Sequence, residues 1–168
     1  MAHPNEELIK KFYSALRDAD AETMVSCYAD SIRFEDPAFG KLEGEHAKNM
    51  WRMLIERGKG ELEFNFSNIE ADEHCGKAYL EAKYLFSKTK RRVHNKIHAS
   101  FEFKNGKIIK HTDVFNFWRW SSMALGPIGT LLGFTSFLKN KVRKNCLELL
   151  AAYERKNQLN AKATAASE

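Results

Sequence analysis

Cysteine and proline are both scarce here, with three of each in 168 residues. Cys27, Cys75 and Cys146 are odd in number, far apart and without a CxxC pair. That pattern excludes a disulfide framework and a zinc site of paired cysteines, and leaves reduced thiols as the expectation. A run of about 20 apolar residues, the length a bilayer needs, is also missing. The most apolar stretch, Met123 to Leu138, is broken by three glycines and a proline, so no integral membrane segment is expected. Met1 to Glu7 has no basic region followed by an apolar one, so no signal peptide is expected and the chain reads as cytoplasmic. The charge excess is small, 27 basic against 22 acidic residues. With no nucleic-acid motif beside it, this surplus affects solubility and predicts no nucleic-acid partner.

What the chain does have is apolar and aromatic material: 43% hydrophobic residues, with 12 Phe, 5 Tyr and 3 Trp. That is enough for one real core, and it suits a sheet curved around a pocket. Asn5 is the expected N-cap of a first helix carrying Leu8, Ile9, Phe12 and Leu16 to about Asp18. Asp20 is expected to cap a short second helix with Met24, Val25 and Tyr28. Ser31 to Glu35 reads as a short strand stopped by Pro37 and Gly40, and Gly44 to Arg57 as a third helix. From Gly60 the apolar period changes from helical to two, giving strands near 61–71, 77–87, 91–103 and 107–120. Helices first and then a meander predict an α+β fold: three N-terminal helices packed in a curved antiparallel sheet, cone-like in shape. Residues 1–120 make the domain, 121–157 a C-terminal helical extension with a helix from about 140, and 158–168 a flexible tail.

Two carboxylates stand in otherwise apolar stretches, Asp36 in Phe34-Glu35-Asp36-Pro37 and Asp113 in His111-Thr112-Asp113-Val114-Phe115. A carboxylate among aromatics is paired, protonated or used, because burying it ionised is costly. Which side chains face inward depends on the turn at Lys104-Asn105-Gly106. A two-residue loop would pair His98 with Asp113. A three-residue loop with left-handed Gly106 would bring Ile97 near Asp113 and Ala99 near His111. The second choice gathers Val93, Asn95, Ile97, Ala99, Phe101 and Phe103 with Ile109, His111, Asp113, Phe115 and Phe117 on one apolar face. It also turns His94, Lys96 and His98 outward. That segregation selects the three-residue loop.

Tyr28-Ala29-Asp30-Ser31-Ile32-Arg33-Phe34-Glu35-Asp36-Pro37 resembles the ketosteroid isomerase segment that carries the catalytic base. Lys107-Ile108-Ile109-Lys110-His111-Thr112-Asp113-Val114-Phe115 is similar to the last-strand motif of SnoaL-like polyketide cyclases and limonene epoxide hydrolases. With the element order, the resemblance covers about Asn5 to Trp120 and implies the nuclear-transport-factor-2-like superfamily of cone-shaped domains. Carried over, Asp36 falls on the isomerase's proton-shuttling aspartate. The isomerase's oxyanion donors, a tyrosine and a protonated aspartic acid, fall on Phe12 and Ala99, so ketosteroid isomerase activity is not expected. Asp113 matches the acid of the epoxide hydrolases. Their water-holding tyrosine and asparagine fall on Phe34 and Asp36, and their Arg-x-Asp pair on Glu81-Ala82-Lys83. An Asp36–Asp113 pair sharing one proton could still position a water.

The functional expectation is therefore a pocket for a small apolar molecule, lined by Phe12, Phe34, Trp51, Asn95, Ile97, Ala99, Phe115 and Phe117. There Asp36 acts as base, with Asp113 and His111 as acid or water-orienting partners, in a cofactor-free isomerase or hydrolase of carbonyl or epoxide compounds. The alternative is a noncatalytic module of the same fold that binds a hydrophobic ligand or another protein. A homodimer through the outer sheet face is expected in either case. His94 and His98 lie four apart on a strand, ~13 Å, too far to share a metal. Lys88, Lys90, Arg91, Arg92 and Lys96 read as a solvated basic hairpin. The Gly-rich segment Ala124 to Phe134 could close the pocket mouth or pack at a dimer interface. Membrane-surface docking through the basic helix Lys139 to Lys156 is a further alternative.

Overall fold

A computed structural model describes residues 1–58 and 60–166. Helix α1 (Pro4–Arg17) starts with Pro at its first turn and two acidic residues, Glu6 and Glu7, at the positive end of its dipole. Its cap is His3, whose Nδ1 accepts from the Asn5 N–H at 3.2 Å, and not Asn5 as the sequence suggested. Asn5 instead donates its side-chain amide to the carbonyls of Asp72 and Glu73, tying the helix to a distant turn. Helix α2 (Ala21–Ser26) is capped by Asp20 as expected, with Oδ1 accepting from the Thr23 N–H.

Strand β1 (Tyr28–Asp36) is longer than the expected strand and turns directly into β2 (Gly40–Glu43). Helix α3 (Glu45–Arg57) follows, then β3 (Glu63–Ala71), β4 (Cys75–Phe86), β5 (Arg91–Lys104) and β6 (Lys107–Val114). One curved sheet results, in the order β2-β1-β6-β5-β4-β3. Every neighbour pair is antiparallel except β1 and β6, so the sheet is mixed and not wholly antiparallel. Helices α1–α3 pack on its inner face around Phe12, Tyr13, Phe34, Met50, Trp51 and Phe101, all buried.

The turn between β5 and β6 corrects one expectation. Asn105 and Gly106 both have positive φ, and Lys104 pairs with Lys107, which is the two-residue hairpin. The register then slips by one after Phe103↔Ile108, so that Phe101 faces His111 and Ala99 faces Asp113. The extra residue on β6 is Ile109, which leaves the inner face to Ile108. A bulge reverses parity as an extra loop residue would, so His111 and Asp113 still point inward as expected.

Strand β6 also stops earlier than expected. Asn116 caps α4 (Phe117–Leu125), with Oδ1 accepting from the Arg119 N–H at 3.0 Å. Phe117, Trp120, Ser121 and Ala124 then bury at helical spacing. The aromatic run that resembled a strand end is a capped helix.

Two more helices follow, α5 (Pro127–Leu132) and α6 (Ser136–Ala165). The last helix thus begins before residue 140 and runs well beyond 156. Helix α5 lies directly on α4 because a Cβ on Gly129 would stand 1.8 Å from the Ser121 carbonyl oxygen, and one on Gly133 2.2 Å from Ser121 Oγ. Gly129→Ala is therefore expected to lift α5 off, raising hydrogen exchange in 128–132 by at least about tenfold while the sheet stays protected. Unchanged exchange there would show that this close approach is not required.

Candidate functional site

Strand pairing builds the centre of the site. In the parallel β1–β6 ladder Phe34 lies beside His111 and Glu35 beside Thr112. Asp36 and Asp113 are the next residues on the two strands, near enough that the charge of Asp113 raises the pKa of Asp36. The two candidate carboxylates, 77 residues apart in the chain, are thus neighbours at the end of one ladder.

His111 is completely enclosed, at 0% exposure. Its ring lies flat against Trp51 at 6.0 Å between centroids, with Phe34 edge-on at 5.3 Å and Phe12 edge-on at 5.4 Å. Nδ1 lies 2.7 Å from the Tyr28 hydroxyl, and Nε2 lies 2.8 Å from Asp113 Oδ1. Trp51 Nε1 donates to the same Tyr28 oxygen at 2.9 Å. A carboxylate oxygen can only accept, so Nε2 carries the ring hydrogen. In the neutral imidazole Nδ1 is left to accept from the Tyr28 hydroxyl, whose oxygen in turn accepts from the Trp51 indole N–H. The chain Trp51–Tyr28–His111–Asp113 is one directed relay that ends on the carboxylate. Tyr13 adds its hydroxyl at 3.4 Å from Nε2. Burial pushes the Tyr13 and Tyr28 phenols well above their ordinary pKa, with the charge of Asp113 adding to both, so both stay protonated.

Asp36 closes a turn and is also pushed toward its protonated form. Oδ1 accepts from the N–H groups of Ala38 (3.0 Å) and Phe39 (2.5 Å), closing the β1–β2 turn. Burial nevertheless pushes its pKa up to about 7; the Phe39 N–H pulls it down, and the charge of Asp113 raises it again. A carboxyl that titrates near neutrality beside a second, oriented carboxylate is suited to proton transfer.

The remaining candidates fall in different places. Asn95 and Ala99 are buried on β5, with Ala99 opposite Asp113, and Ile97 is half-buried opposite Leu80. Phe115 and Phe117 do not continue the strand; both pack on Trp120, at 6.4 and 5.4 Å. Trp120 Nε1 donates to the Tyr84 hydroxyl at 2.9 Å. Burial raises Tyr84 to about 12, and Cys146 also to about 12, with the charge of Asp36 adding to each. Cys146 and Arg143, whose side chain lies against Gly40, bring α6 over the Asp36 end of the ladder. Glu154 fixes the helix there, 2.9 Å from His46 Nδ1 and accepting from Asn49 at 3.0 Å.

Two surface depressions are bordered by neither Asp36 nor Asp113. One, about 670 Å³, is bordered by Tyr28, Asp30, Lys48, Lys104 and Lys107; the other, about 270 Å³, lies between His46 and Leu147. His94 faces outward and pairs with Glu81 at 2.6 Å. Among the described residues, no three His, Cys, Asp or Glu side chains converge to hold a metal.

Tyr13 and Tyr28 were not foreseen. Period two does not reach Tyr28, because Asp30 is exposed at the intervening position and the register shifts between Tyr28 and Arg33.

Residues 9–111 match the family of SnoaL-like domains, well over half the chain. The chain belongs to that family. Its fold is the nuclear-transport-factor-2-like cone, seen in an LEH-like epoxide hydrolase of M. tuberculosis. That protein is 20% identical, covers 77% of this chain and 95% of its own, and has a TM-score of 0.59. Bal32a, from a soil-derived mobile gene cassette, is 17% identical, covering 73% and 97%, with a TM-score of 0.63. TerC, co-crystallised with polyporic acid, is 15% identical, covering 72% and 98%, with a TM-score of 0.62. No curated protein matches the sequence. At these identities the likeness is one of fold, and the chemistry of this SnoaL-like domain has to be argued from its own residues.

Proposed function

We propose that the Asp36–Asp113 pair is an acid–base site for a small apolar molecule, and that its best-suited reaction is water addition to an epoxide. The reading is supported by one arrangement: Asp113, held by His111 Nε2 at 2.8 Å, near the end of the β1–β6 ladder where burial and the charge of Asp113 push the pKa of Asp36 up to about 7. Near neutral pH Asp36 holds a proton for a good part of the time, and Asp113 is the acceptor. Water oxygen bonds to a ring carbon while its proton passes to Asp113. The ring C–O bond breaks and the oxygen takes the proton of Asp36. Transfer of the proton from Asp113 to Asp36 restores the pair, so the net change is one water added. Isomerisation through an enolate would also require an oxyanion donor, and Phe12 and Ala99 offer none.

Asp113→Asn is expected to lower kcat/KM on styrene oxide or cyclohexene oxide by at least ~100-fold with the circular dichroism unchanged. Turnover at the level of the unaltered protein would remove Asp113 from the chemistry.

A second reading has its own support: the ring of His111 is wholly enclosed and both its nitrogens are engaged, as in a finished structural core. On that reading the domain holds a hydrophobic ligand without changing it. Native mass spectrometry after long incubation separates the two, since recovery of the epoxide unchanged supports holding and a diol supports catalysis.

A further inference from the structure

Helix α5 is built inside out. Gly129 and Gly133 face α4 at distances no side chain could occupy, which turns the large side chains away from the protein. Ile128 is 61% exposed, Leu131 69%, Phe134 71% and Phe137 69%. These belong to α5, the turn after it and the first turn of α6, and Trp118 is exposed beside them, its Nε1 donating to the Thr130 carbonyl at 2.9 Å. Exposure of this kind costs solubility and marks a contact surface.

Charge on two sides indicates what that surface meets. From Val114 to Leu147 there are five basic residues and no acidic one. Lys139 and Lys141 are exposed just beyond Phe137. The turn between β4 and β5 contributes Lys88 and Lys90, and the start of β5 contributes Arg92; all three are exposed and, among the described residues, form no ion pair with a carboxylate. That turn is fastened to the end of α4, where α5 begins: Thr89 Oγ1 donates to the Ala124 carbonyl and Arg91 Nε to the Met123 carbonyl at 2.9 Å. Projecting Ile, Leu and Phe with a Trp beside them, flanked by lysines from two separate elements, match the apolar-below, anionic-above layering of a lipid interface. A second copy of the chain would bring like charge against like charge at this face.

We propose that α5 and the first turn of α6 dock this domain onto an anionic membrane surface, with Ile128, Leu131, Phe134 and Phe137 entering the headgroup–acyl boundary. No helix among the described residues is long and apolar enough to cross a bilayer, so the contact is one of lying on the surface.

The test is flotation with vesicles of phosphatidylcholine alone, or with 3 parts in 10 phosphatidylglycerol; this ratio, like the salt steps, is a roughly chosen setting. The expected result is binding to the anionic vesicles, weakened at least about tenfold between ~50 mM and ~500 mM NaCl. Leu131→Asp with Phe134→Asp, both at exposed positions, should abolish it, and Lys139→Glu with Lys141→Glu should weaken it at least about tenfold. Brominated lipids should quench the exposed Trp118 in the unaltered protein, which needs no variant. No flotation on anionic vesicles, or no quenching, would overturn the proposal. So would a dimer in sedimentation equilibrium that Leu131→Asp with Phe134→Asp dissociates, since the face would then be an interface between copies.

Discussion

Replacing His111 by alanine is expected to destabilise the fold by roughly 4 kcal/mol, a large part of an ordinary domain's stability. Two losses add. The ring fills a space closed by Trp51, Phe34, Phe12 and Phe101, and emptying such a site leaves a cavity those rings cannot fully collapse into. The Tyr28 hydroxyl and Asp113 Oδ1 also lose their partner in the interior, and the carboxylate pays most because it carries charge. His111→Phe separates the two terms: it keeps most of the volume and should cost about 2–3 kcal/mol, chiefly from the unpaired groups. Urea unfolding at pH 7 reads both. A cost below ~1 kcal/mol for the alanine variant would mean that the relay is not integral to the core.

Much of this site was legible in the sequence, and the parts that were not share a physical cause. The inward direction of His111 and Asp113 followed from separating apolar from polar residues on two strands. Segregation reports parity and does not report the device that sets it. A two-residue turn plus a bulge at Ile109 and a three-residue loop give the same parity, and the chain uses the former. The approach of Asp36 to Asp113 rests on the parallel pairing of β1 with β6, between strands far apart in sequence. No local period encodes such a pairing. Phe117 to Trp120 show the opposite failure: strand-favouring aromatics were overruled by a single N-cap, Asn116, and by burial at helical spacing. Helix α5 reads as ordinary apolar material until its glycines are seen to be the buried face.

Asp36→Asn is expected to remove a contribution to stability that falls as pH rises. In the unfolded chain Asp36 ionises near 4, and in the folded protein near 7. Between those values the folded state binds the extra proton, so the contribution of Asp36 to stability is most favourable below about pH 4 and is lost as pH rises to about 7. The three-unit gap corresponds to an upper bound of roughly 4 kcal/mol, and water reaching the half-buried carboxyl reduces it to about 2–3 kcal/mol. Asparagine keeps an oxygen that can accept from Ala38 and Phe39, so the turn survives while the titration disappears. At pH 8 the variant should therefore be more stable by about 2–3 kcal/mol, a Tm higher by roughly 5–10 °C, and near pH 4 the two should coincide. Asp113→Asn should move the midpoint of the parent's pH profile downward, because the neighbouring charge contributes to the shift. The sign separates the two roles of Asp36. A carboxylate serving only to accept two N–H groups in a turn would be stabilised in its charged form, and its loss would cost stability at pH 8. A gain at pH 8 means that the fold holds Asp36 against its ionisation, as burial of the carboxyl requires.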